Sequence, residues 1–421
     1  MIHWSRWLVV AGVGLTACAN HARRPADPGR GVAGNRMLTL EATRVVSGPT
    51  AAYVTTYSAM SSLGQKAIVW VESPGGDEAG TLFVETDSVK AMPLPDSAGS
   101  AGLDPETPPK VAFAPNGALF VAYQISHKPG PKLDPVWSIR VIRSADNGRT
   151  WSQPSNVADD GFYGRYRNDH ALHIARDGSL YTAWIDLRDT ARTVIYSAHS
   201  TDRGSTWSKN TPIDLEESCA CCRMAIASGG DGQVFIAWRK VLPGGLRDIV
   251  VASSTDRGAT WSKPVLAYAD NWKVDGCPDA GPSMLADSAG RLHLAWWTGK
   301  PGASGVKYVT SGDGGLTWGA PVPLRVAEAS QPSHPSVARG ADGALYVAWD
   351  DGTVRDAKIV MAVSHDDGAT FEEPIDLSAP GVPARFPVVA TSGNHLVVAW
   401  HQADPGNKGK RQVVTRALSI Q

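Results

Sequence analysis

Four of the five cysteines occupy positions that could bring their thiols together in one site. Cys219, Cys221 and Cys222 fall within one short segment, and Cys277 occupies a comparable position before a later predicted strand. In an oxidising compartment an even set of thiols favours disulfides, with one bridge from Cys277 to the cluster and a second bridge within it. Thiolates also bind soft metals, so copper or zinc is an alternative, with His170 or His334 as a further ligand. A redox-active disulfide and free thiols are the remaining interpretations.

Arginine, aspartate and histidine side chains are concentrated in the segments that precede or link the predicted strands. This mixture suits an anionic or sugar ligand, and His170, Asp279 and His334 are the candidates for direct ligand contact. The wider set contains Asp104, Glu106, Arg165, Arg167, Asp169, Asp275 and Arg385 before strands, and Asp186, Arg188, Arg239, Arg247, Asp350, Asp351, Arg355 and His401 between strands. The competing explanation for each residue is an ordinary solvated loop.

An eight-residue phrase, Ser-x-Asp-x-Gly-x-Thr-Trp, organises the chain and must position these side chains. Its clearest copy is Ser254–Trp261, and the five copies begin at residues 144, 200, 254, 311 and 364, the last ending in Phe371. The steps between them are therefore 56, 54, 57 and 53 residues. A nearly constant period of about 55 residues indicates a repeat architecture.

Each copy of the phrase predicts a β-hairpin with a turn that satisfies its own hydrogen bonds. Asp and Ser side chains bind nearby backbone N–H groups, and Gly permits positive φ. The final aromatic residue begins the next strand and supplies a ring to bury. The aspartates with this structural role are Asp146, Asp202, Asp256, Asp313 and Asp366.

The phrase resembles the Asp-box, or BNR repeat, of the sialidase superfamily and related β-propellers. The resemblance covers nearly all of the chain after the N-terminal segment, and it implies that the Asp-box turns lie on the face away from the active site. It also implies the sialidase chemistry of three arginines that hold a carboxylate, an Asp acid/base and a Tyr nucleophile assisted by a Glu. The residues that would take these roles are Arg223, Arg239 and Arg385, with Asp169, Tyr166 (or Tyr163) and Glu217. The family's Arg-Ile-Pro motif is missing near the start of the repeats, and the nearest string is Arg385-Phe386-Pro387 in the last unit.

A second periodic signal counts the units. An alternating apolar strand ends in an aromatic residue once per unit. These residues are Trp70, Tyr123, Trp184, Trp238, Trp296, Trp349 and Trp400. The last unit is one strand short, and the extra segment Met37–Val46 at the other end would complete it and remove exposed edges. The predicted fold is therefore all-β, a β-propeller of four-stranded blades closed by the N-terminal strand, with seven blades favoured and six as the alternative.

The first 36 residues are predicted to contain an export signal and a membrane-attachment segment. Arg6 precedes the apolar run Leu8–Leu15, which is typical of a secretory signal and too short to span a membrane. Leu15-Thr16-Ala17-Cys18 resembles a bacterial lipobox, which implies a signal peptide over residues 1–17, lipidation of Cys18 and an outer-membrane lipoprotein facing the periplasm or the cell surface. An ordinary cleaved signal is the alternative. Residues 18–36 then form a flexible tether, and residues 37–421 a single propeller domain.

Composition narrows the function. The formal net charge is −1, which gives no indication of nucleic-acid binding, and 43 Gly and 29 Pro agree with a turn-rich exported globular protein. We expect this protein to be a monomer. We expect a propeller that binds a glycan, a protein, a small anionic ligand or a metal at the mouth that contains the cysteines. The alternative is an exo-acting glycoside hydrolase of the sialidase type.

Overall fold

The computed structural model describes residues 38–49, 51–75, 79–127, 136–160, 167–188, 192–230, 232–327, 331–353 and 355–421. Within these ranges the chain forms strands and no helix, so the all-β prediction is confirmed. Consistent with that, no helix in the described residues is long and apolar enough to cross a membrane. The predictions for Cys18, Tyr163, Arg165 and Tyr166 fall outside the described residues.

The strands are short and follow one another closely. The first eleven are β1 (Leu38–Leu40), β2 (Arg44–Val45), β3 (Tyr53–Met60), β4 (Lys66–Ser73), β5 (Ala79–Thr86), β6 (Met92–Pro93), β7 (Ala101–Gly102), β8 (Lys110–Phe113), β9 (Leu119–His127), β10 (Val136–Ser144) and β11 (Ser155–Asn156). The next eight are β12 (Arg167–Ile174), β13 (Leu180–Asp186), β14 (Val194–Ser200), β15 (Thr211–Asp214), β16 (Ala225–Ser228), β17 (Val234–Leu242), β18 (Leu246–Ser254) and β19 (Val265–Leu266). The remainder are β20 (Ser283–Ala286), β21 (Leu292–Thr298), β22 (Gly305–Ser311), β23 (Val322–Val326), β24 (Ser333–Arg339), β25 (Leu345–Asp351), β26 (Lys358–Ser364), β27 (Ile375–Asp376), β28 (Ala384–Ser392), β29 (His395–Ala403) and β30 (Arg411–Ile420).

Antiparallel pairing joins these strands into four-stranded sets of chain neighbours. The runs β12–β15, β16–β19, β20–β23 and β24–β27 are separate sheets. The runs β3–β6 and β8–β11 are linked into one larger sheet through β7. At the other end, β28–β30 form a sheet whose outer edge pairs with β1 and β2. Repeated antiparallel sets of this kind are consistent with a β-propeller.

The Asp-box turns have the same hydrogen bonds in all five copies. The first Ser hydroxyl donates to the Asp carboxylate at 2.7–2.9 Å. The Gly N–H donates to that Ser oxygen at 2.7–2.9 Å, and the Thr hydroxyl donates to the second carboxylate oxygen at 2.5–2.6 Å. Each turn therefore satisfies its own polar groups, as its sequence predicts.

The aromatic residues that mark the repeat fill the core. Trp70, Trp184, Trp238, Trp296, Trp349 and Trp400 are at most 1% exposed, as is Tyr123. The apolar side chains around them come from neighbouring sets, as in the cluster of Trp349 with Val306, Tyr308 and Val360. Burial of such rings between sheets contributes about 1.5–3 kcal/mol each and holds successive sets together.

The first and last sets of strands pack on each other. β3 lies against β28 and β29. The Ser58 hydroxyl donates to the carbonyl oxygen of Val388 at 3.2 Å, and Nδ1 of His401 lies 2.9 Å from the carbonyl oxygen of Val54. These contacts join β3 to the sheet that contains β28 and β29.

Candidate functional site

Two adjoining cavities lie at the ends of the inner strands. The outer one, here called the mouth, has a volume of about 700 Å³. Its lining is Asp104, Pro105, Glu106, Asn168, Cys221, Trp272, Val274, Cys277, Pro278, Asp279, Trp297, Gln331, Ser333, His334 and Arg385. The inner one, here called the funnel, is about 140 Å³ and is lined by residues of β3, β8, β12, β16, β20, β24 and β28, together with Arg223 and His334. Since His334 lines both cavities, it lies where the mouth meets the funnel.

Three of the inner strands share a β-bulge near the junction of the mouth and the funnel. The pairing register shifts between Asn168 and Ala171 in β12, and at the corresponding positions of β24 and β28. At each shift a residue other than glycine has positive φ, namely Asp169 at 50°, His334 at 52° and Phe386 at 61°. Such β-bulges redirect side chains, and left-handed backbone at residues other than glycine is concentrated at functional sites.

A chain of charged groups runs across the mouth with His334 at its centre. Nε2 of His334 lies 3.0 Å from Oε1 of Glu106, and Nδ1 lies 2.8 Å from Oδ1 of Asp350. Nε of Arg385 donates to Oδ2 of Asp350 at 3.1 Å. Burial alone would lower the pKa of His334, but the two carboxylates outweigh it and raise the pKa to about 9. His334 is therefore an imidazolium at neutral pH.

Phe386 provides an apolar platform for two arginines. The guanidinium carbon of Arg223 lies 5.0 Å from the centre of the Phe386 ring, and that of Arg385 lies 4.8 Å from it. Arg223 also donates from Nη2 to the carbonyl oxygen of Pro105 at 2.9 Å and lies 3.4 Å from the carboxylate of Glu106. Two of the three arginines predicted from the resemblance are thus brought together.

Arg239 does not join them. It is only 1% exposed, and its guanidinium donates to the backbone carbonyl oxygens of Ala280, Arg247 and Trp297 at 2.6–3.2 Å. A guanidinium has five N–H donors, and four hydrogen bonds to the backbone leave Arg239 unable to clamp a ligand carboxylate. The three-arginine arrangement of the resemblance is therefore not assembled from these residues.

Titratable groups that line the funnel, or that interact electrostatically with its lining as Asp169 does with Lys110, have strongly shifted pKa values. Burial and then the Arg223 charge lower the pKa of Lys110 well below its usual value. Burial, reinforced by the carboxylates of Asp104 and Glu106, raises the pKa of Asp169 well above its usual value. Nζ of Lys110 lies 4.7 Å from the centre of the Tyr57 ring, whose phenol pKa is raised by burial. Groups shifted in this way beside a cavity are typical of functional sites.

The remaining predicted residues lie in other environments. His170 is buried with Nε2 3.1 Å from the carbonyl oxygen of Ala122, and burial lowers its pKa to about 3. Asp279 is exposed on the mouth, and its carbonyl oxygen accepts a hydrogen bond from Nε2 of His334 at 2.9 Å. Glu217 is exposed and lines neither cavity.

The predicted link from Cys277 to the cysteine cluster is confirmed, and its partner is Cys221. This disulfide forms part of the wall of the mouth. The predicted second bridge is not formed, because Cys219 and Cys222 are free, with their sulfur atoms 3.0 Å apart.

The donor atoms around the cluster do not fit copper or zinc well. The sulfurs of Cys219, Cys221 and Cys222 lie within 4.8 Å of one another, but that of Cys221 is committed to the disulfide. Within the described residues, the groups of potential metal ligands near these sulfurs include no histidine. Two thiols alone fall short of the four-coordinate sites that zinc prefers.

Sequence reasoning missed three residues of the site. Tyr57 and Lys110 lie in strands and read as ordinary strand residues, while Phe386 reads as core. A signal existed for Lys110 and Tyr57, since each occupies the inner-strand position that faces the Ala or Val before the repeating aromatic. Other units have Ala, Ser or Val at that position, so a lysine or tyrosine there stands out.

Comparisons with known proteins agree with the repeat. The profile of the BNR repeat-like domain matches residues 103–347, whereas no curated protein sequence matches the chain significantly. An ulvan lyase of polysaccharide lyase family 25 is 12% identical with a TM-score of 0.54, covering 88% of this chain and 91% of that one. An α-L-arabinofuranosidase from Fusarium graminearum is 17% identical with a TM-score of 0.52, covering 74% and 92%.

A Hadza microbial sialidase is 15% identical with a TM-score of 0.50, covering 83% of this chain and 75% of that one. Likeness at these identities concerns the fold, and the activities of these proteins differ from one another. Because the family profile spans more than half of the chain, and because the Asp-box turns recur with the geometry described above, the chain belongs to the BNR repeat-like domain family and has a sialidase-like β-propeller fold.

Proposed function

We propose that the mouth binds an anionic glycan and that Arg385 recognises its negative group. The observation that carries this proposal is the state of the Arg385 guanidinium. Its Nε is held by Asp350, whereas its two Nη atoms make no hydrogen bond to any described residue. The side chain is 25% exposed and lines both the mouth and a neighbouring cavity of about 340 Å³. A guanidinium oriented at Nε and free at both ends suits bidentate binding of a carboxylate or sulfate.

The surroundings favour a sugar as the carrier of that charge. Trp272 and Trp297 line the mouth and form an edge-to-face pair with ring centres 4.9 Å apart. Aromatic rings beside fixed polar groups are a common composition for small-molecule sites. The ulvan lyase, arabinofuranosidase and sialidase that share the fold all carry names that refer to glycans, which supports this ligand class by analogy.

Calorimetric titration tests the proposal. N-Acetylneuraminic acid, glucuronic acid and neutral galactose are titrated into the protein at low and high salt. We expect at least one acid to bind more tightly than galactose, with weaker binding at high salt because the charges are partly screened. Arg385→Gln should weaken that binding by at least about tenfold, as expected for loss of a charge-assisted hydrogen bond.

Arg257→Gln is the matched control. Arg257 belongs to an Asp-box turn and pairs with Asp177, so the same substitution there should leave binding unchanged. Equal binding of acidic and neutral sugars, or an Arg385→Gln variant with unaltered affinity, would reject the proposal.

A second candidate function is hydrolysis of the bound glycan. The supporting observation is a pair of carboxyl groups. Glu106 lies in the mouth between Arg223 and His334, and Asp169 is buried and has a pKa raised by burial and by nearby carboxylates that include Glu106. Carboxyl groups whose environments differ in this way are typical of acid–base pairs.

Fluorogenic glycosides of acidic and neutral sugars test hydrolysis. Turnover by the wild type should fall by about a hundredfold to ten-thousandfold in Glu106→Gln if Glu106 acts as acid or base. Binding of the acidic sugar without any turnover would reject the proposed hydrolysis and leave glycan recognition as the function of the mouth.

We also propose that the strand sets form a closed ring of seven blades with β1 and β2 in the last blade. The proposal is supported by the pairing of β1 with β30, by the packing of β3 on β28 and β29, and by the contribution of seven inner strands to the funnel. Deletion of residues 38–45 should therefore lower the thermal unfolding temperature. An unchanged unfolding temperature would contradict closure by this segment.

The proposed location is the outer membrane, with a lipid on Cys18, a tether over residues 18–36 and the propeller over residues 37–421. The lipobox-like string before Cys18 supports this location. Metabolic labelling with a fatty acid should mark the wild type and not Cys18→Ala, and the labelled protein should fractionate with outer membranes. An unlabelled wild-type protein released into the periplasm would favour an ordinary cleaved signal.

A further inference from the structure

The two free thiols lie directly beside the mouth disulfide. The sulfur of Cys219 is 3.0 Å from that of Cys222 and 3.6 Å from that of Cys221, which is bonded to Cys277. Cys219 and Cys222 are 4% and 2% exposed, whereas Cys277 is exposed on the mouth. A buried dithiol thus contacts the inner sulfur of a disulfide whose outer sulfur faces solvent.

Two arginines, Arg239 and Arg247, act electrostatically on this dithiol. Arg239 is buried and makes no ion pair with any described carboxylate, since its hydrogen bonds all go to backbone carbonyl oxygens. Nε and Nη1 of Arg247 are buried and without a hydrogen-bond partner. The positive charges of both guanidinium groups favour the thiolate form of Cys219.

The two thiols respond differently to this environment. The hydrogen bond from Cys222, together with the charges of Arg239 and Arg247, lowers the pKa of Cys219 to about 7. Burial raises the pKa of Cys222 well above its usual value. Thiol–disulfide exchange requires a thiolate close to a disulfide sulfur, and a neighbouring thiol can then resolve the new disulfide.

We infer that Cys219 and Cys222 form a redox-active dithiol that exchanges with the Cys221–Cys277 disulfide, so that this chain opens and recloses the wall of its own mouth. In the first step the Cys219 thiolate attacks the sulfur of Cys221. The Cys219–Cys221 bond forms, the Cys221–Cys277 bond breaks, and Cys277 leaves as a thiolate that takes a proton from solvent.

In the second step Cys222 loses its proton and attacks the sulfur of Cys219. The Cys219–Cys222 bond forms, the Cys219–Cys221 bond breaks, and Cys221 leaves as a thiolate that is protonated. One disulfide and two thiols are present before and after, so the exchange needs neither an oxidant nor a reductant. Its product frees the segment of Cys277 from the blade that carries Cys221.

Trapping with N-ethylmaleimide tests the exchange on the full-length protein purified without reductant. Samples are alkylated at neutral pH for increasing times, quenched in acid, digested and mapped by mass spectrometry. Among Cys219, Cys221, Cys222 and Cys277 we expect two thiols per chain at the start, followed by growing label on Cys277 as alkylation captures the exchanged form. A peptide with an internal Cys219–Cys222 or Cys219–Cys221 disulfide should appear at the same rate.

Two variants separate exchange from simple opening. Cys219→Ala removes the attacking thiolate and should slow labelling of Cys277 by at least about tenfold. Cys222→Ala keeps the first step, so Cys277 should still be labelled, now with a Cys219–Cys221 bond. Thermal unfolding of both variants identifies any that fail to fold.

The wild type alone can overturn the inference. A protein with no free thiol among these four cysteines would mean that Cys219 and Cys222 are already joined and act as a second structural disulfide. A protein with two thiols in which Cys277 stays unlabelled, while Cys219 and Cys222 react only after unfolding, would mean that the dithiol is inert. Labelling of Cys277 that is as fast in Cys219→Ala as in the wild type would likewise reject the role of Cys219.

Discussion

His334 should stabilise the fold only while its imidazole is protonated. The ring donates to Glu106 on one side and to Asp350 on the other, and these carboxylates raise its pKa from 6.5 to about 9. At 1.36 kcal/mol per pKa unit this difference corresponds to about 3 kcal/mol. Because the pKa in the folded state is raised, the stabilisation is complete below pH 6.5 and is lost as the pH rises through 9.

Urea unfolding of the wild type and of His334→Gln, at pH 6 and at pH 10, measures this contribution. Glutamine can donate a hydrogen bond but has no proton to lose in this range. The free energy of unfolding of the wild type should therefore fall by about 3 kcal/mol more than that of the variant over this range. Cys219 has a lowered pKa of about 7 and changes stability in the opposite direction, but it does so equally in both proteins.

Two results would refute the reasoning. Parallel pH profiles for the two proteins would mean that the charge of His334 contributes nothing. An imidazole resonance of His334 that titrates near its ordinary pKa in NMR spectra would mean that the carboxylates do not hold the proton.

Three further predictions concern stability. A Cβ at Gly368 would lie 2.2 Å from the buried Tyr308 ring, whereas at Gly258 the nearest atom would be 3.4 Å away, with φ of +87° and +84°. Each substitution to Ala should destabilise the protein by about 1–2 kcal/mol through backbone strain. Gly368→Ala should cost about 1–3 kcal/mol more, because the new methyl group overpacks against Tyr308. Equal unfolding temperatures of the two variants would contradict the overpacking at Gly368. The hydrogen bonds from Thr260 lower the pKa of Asp256 to about 2, so the stabilisation that the Asp256 carboxylate provides is present above pH 3.8 and is lost as the pH falls towards 2. Asp256→Asn should therefore lose less stability than the wild type on acidification. Identical acid-unfolding profiles of the two proteins would contradict this prediction. Cys277→Ser removes the disulfide to Cys221, which links residues with a sequence separation of 56. Equilibrium unfolding should show a free energy of unfolding that is lower by up to about 4 kcal/mol. An unchanged free energy would mean that the disulfide does not stabilise the fold.

The local parts of the fold followed from the sequence. In the Asp-box the Ser, Asp, Gly and Thr that make the turn lie within eight residues, so their hydrogen bonds depend on no distant segment. The burial of Trp184 and its counterparts followed for a similar reason, because alternation along a strand determines which face is apolar. The set of strands that β1 and β2 complete was also predictable, since the last unit lacked a strand.

The site was only partly predictable. Arg223 and Arg385 both lie against the Phe386 ring, whereas Arg239, which was grouped with them, has its guanidinium occupied by backbone carbonyl oxygens. Phe386 was not selected, because nothing in its neighbourhood indicates that a bulge turns its ring towards two arginines.

The sequence by itself determined the repeat, the hairpin turns and the apolar faces, because each depends on local spacing. The tertiary structure alone decided which polar side chains meet. Glu106 and His334 are separated by 228 residues, and their contact exists only because the inner strands converge on one mouth. The same convergence raises the pKa of His334 and that of Asp169, since burial and neighbouring charge are properties of the assembled site rather than of any segment.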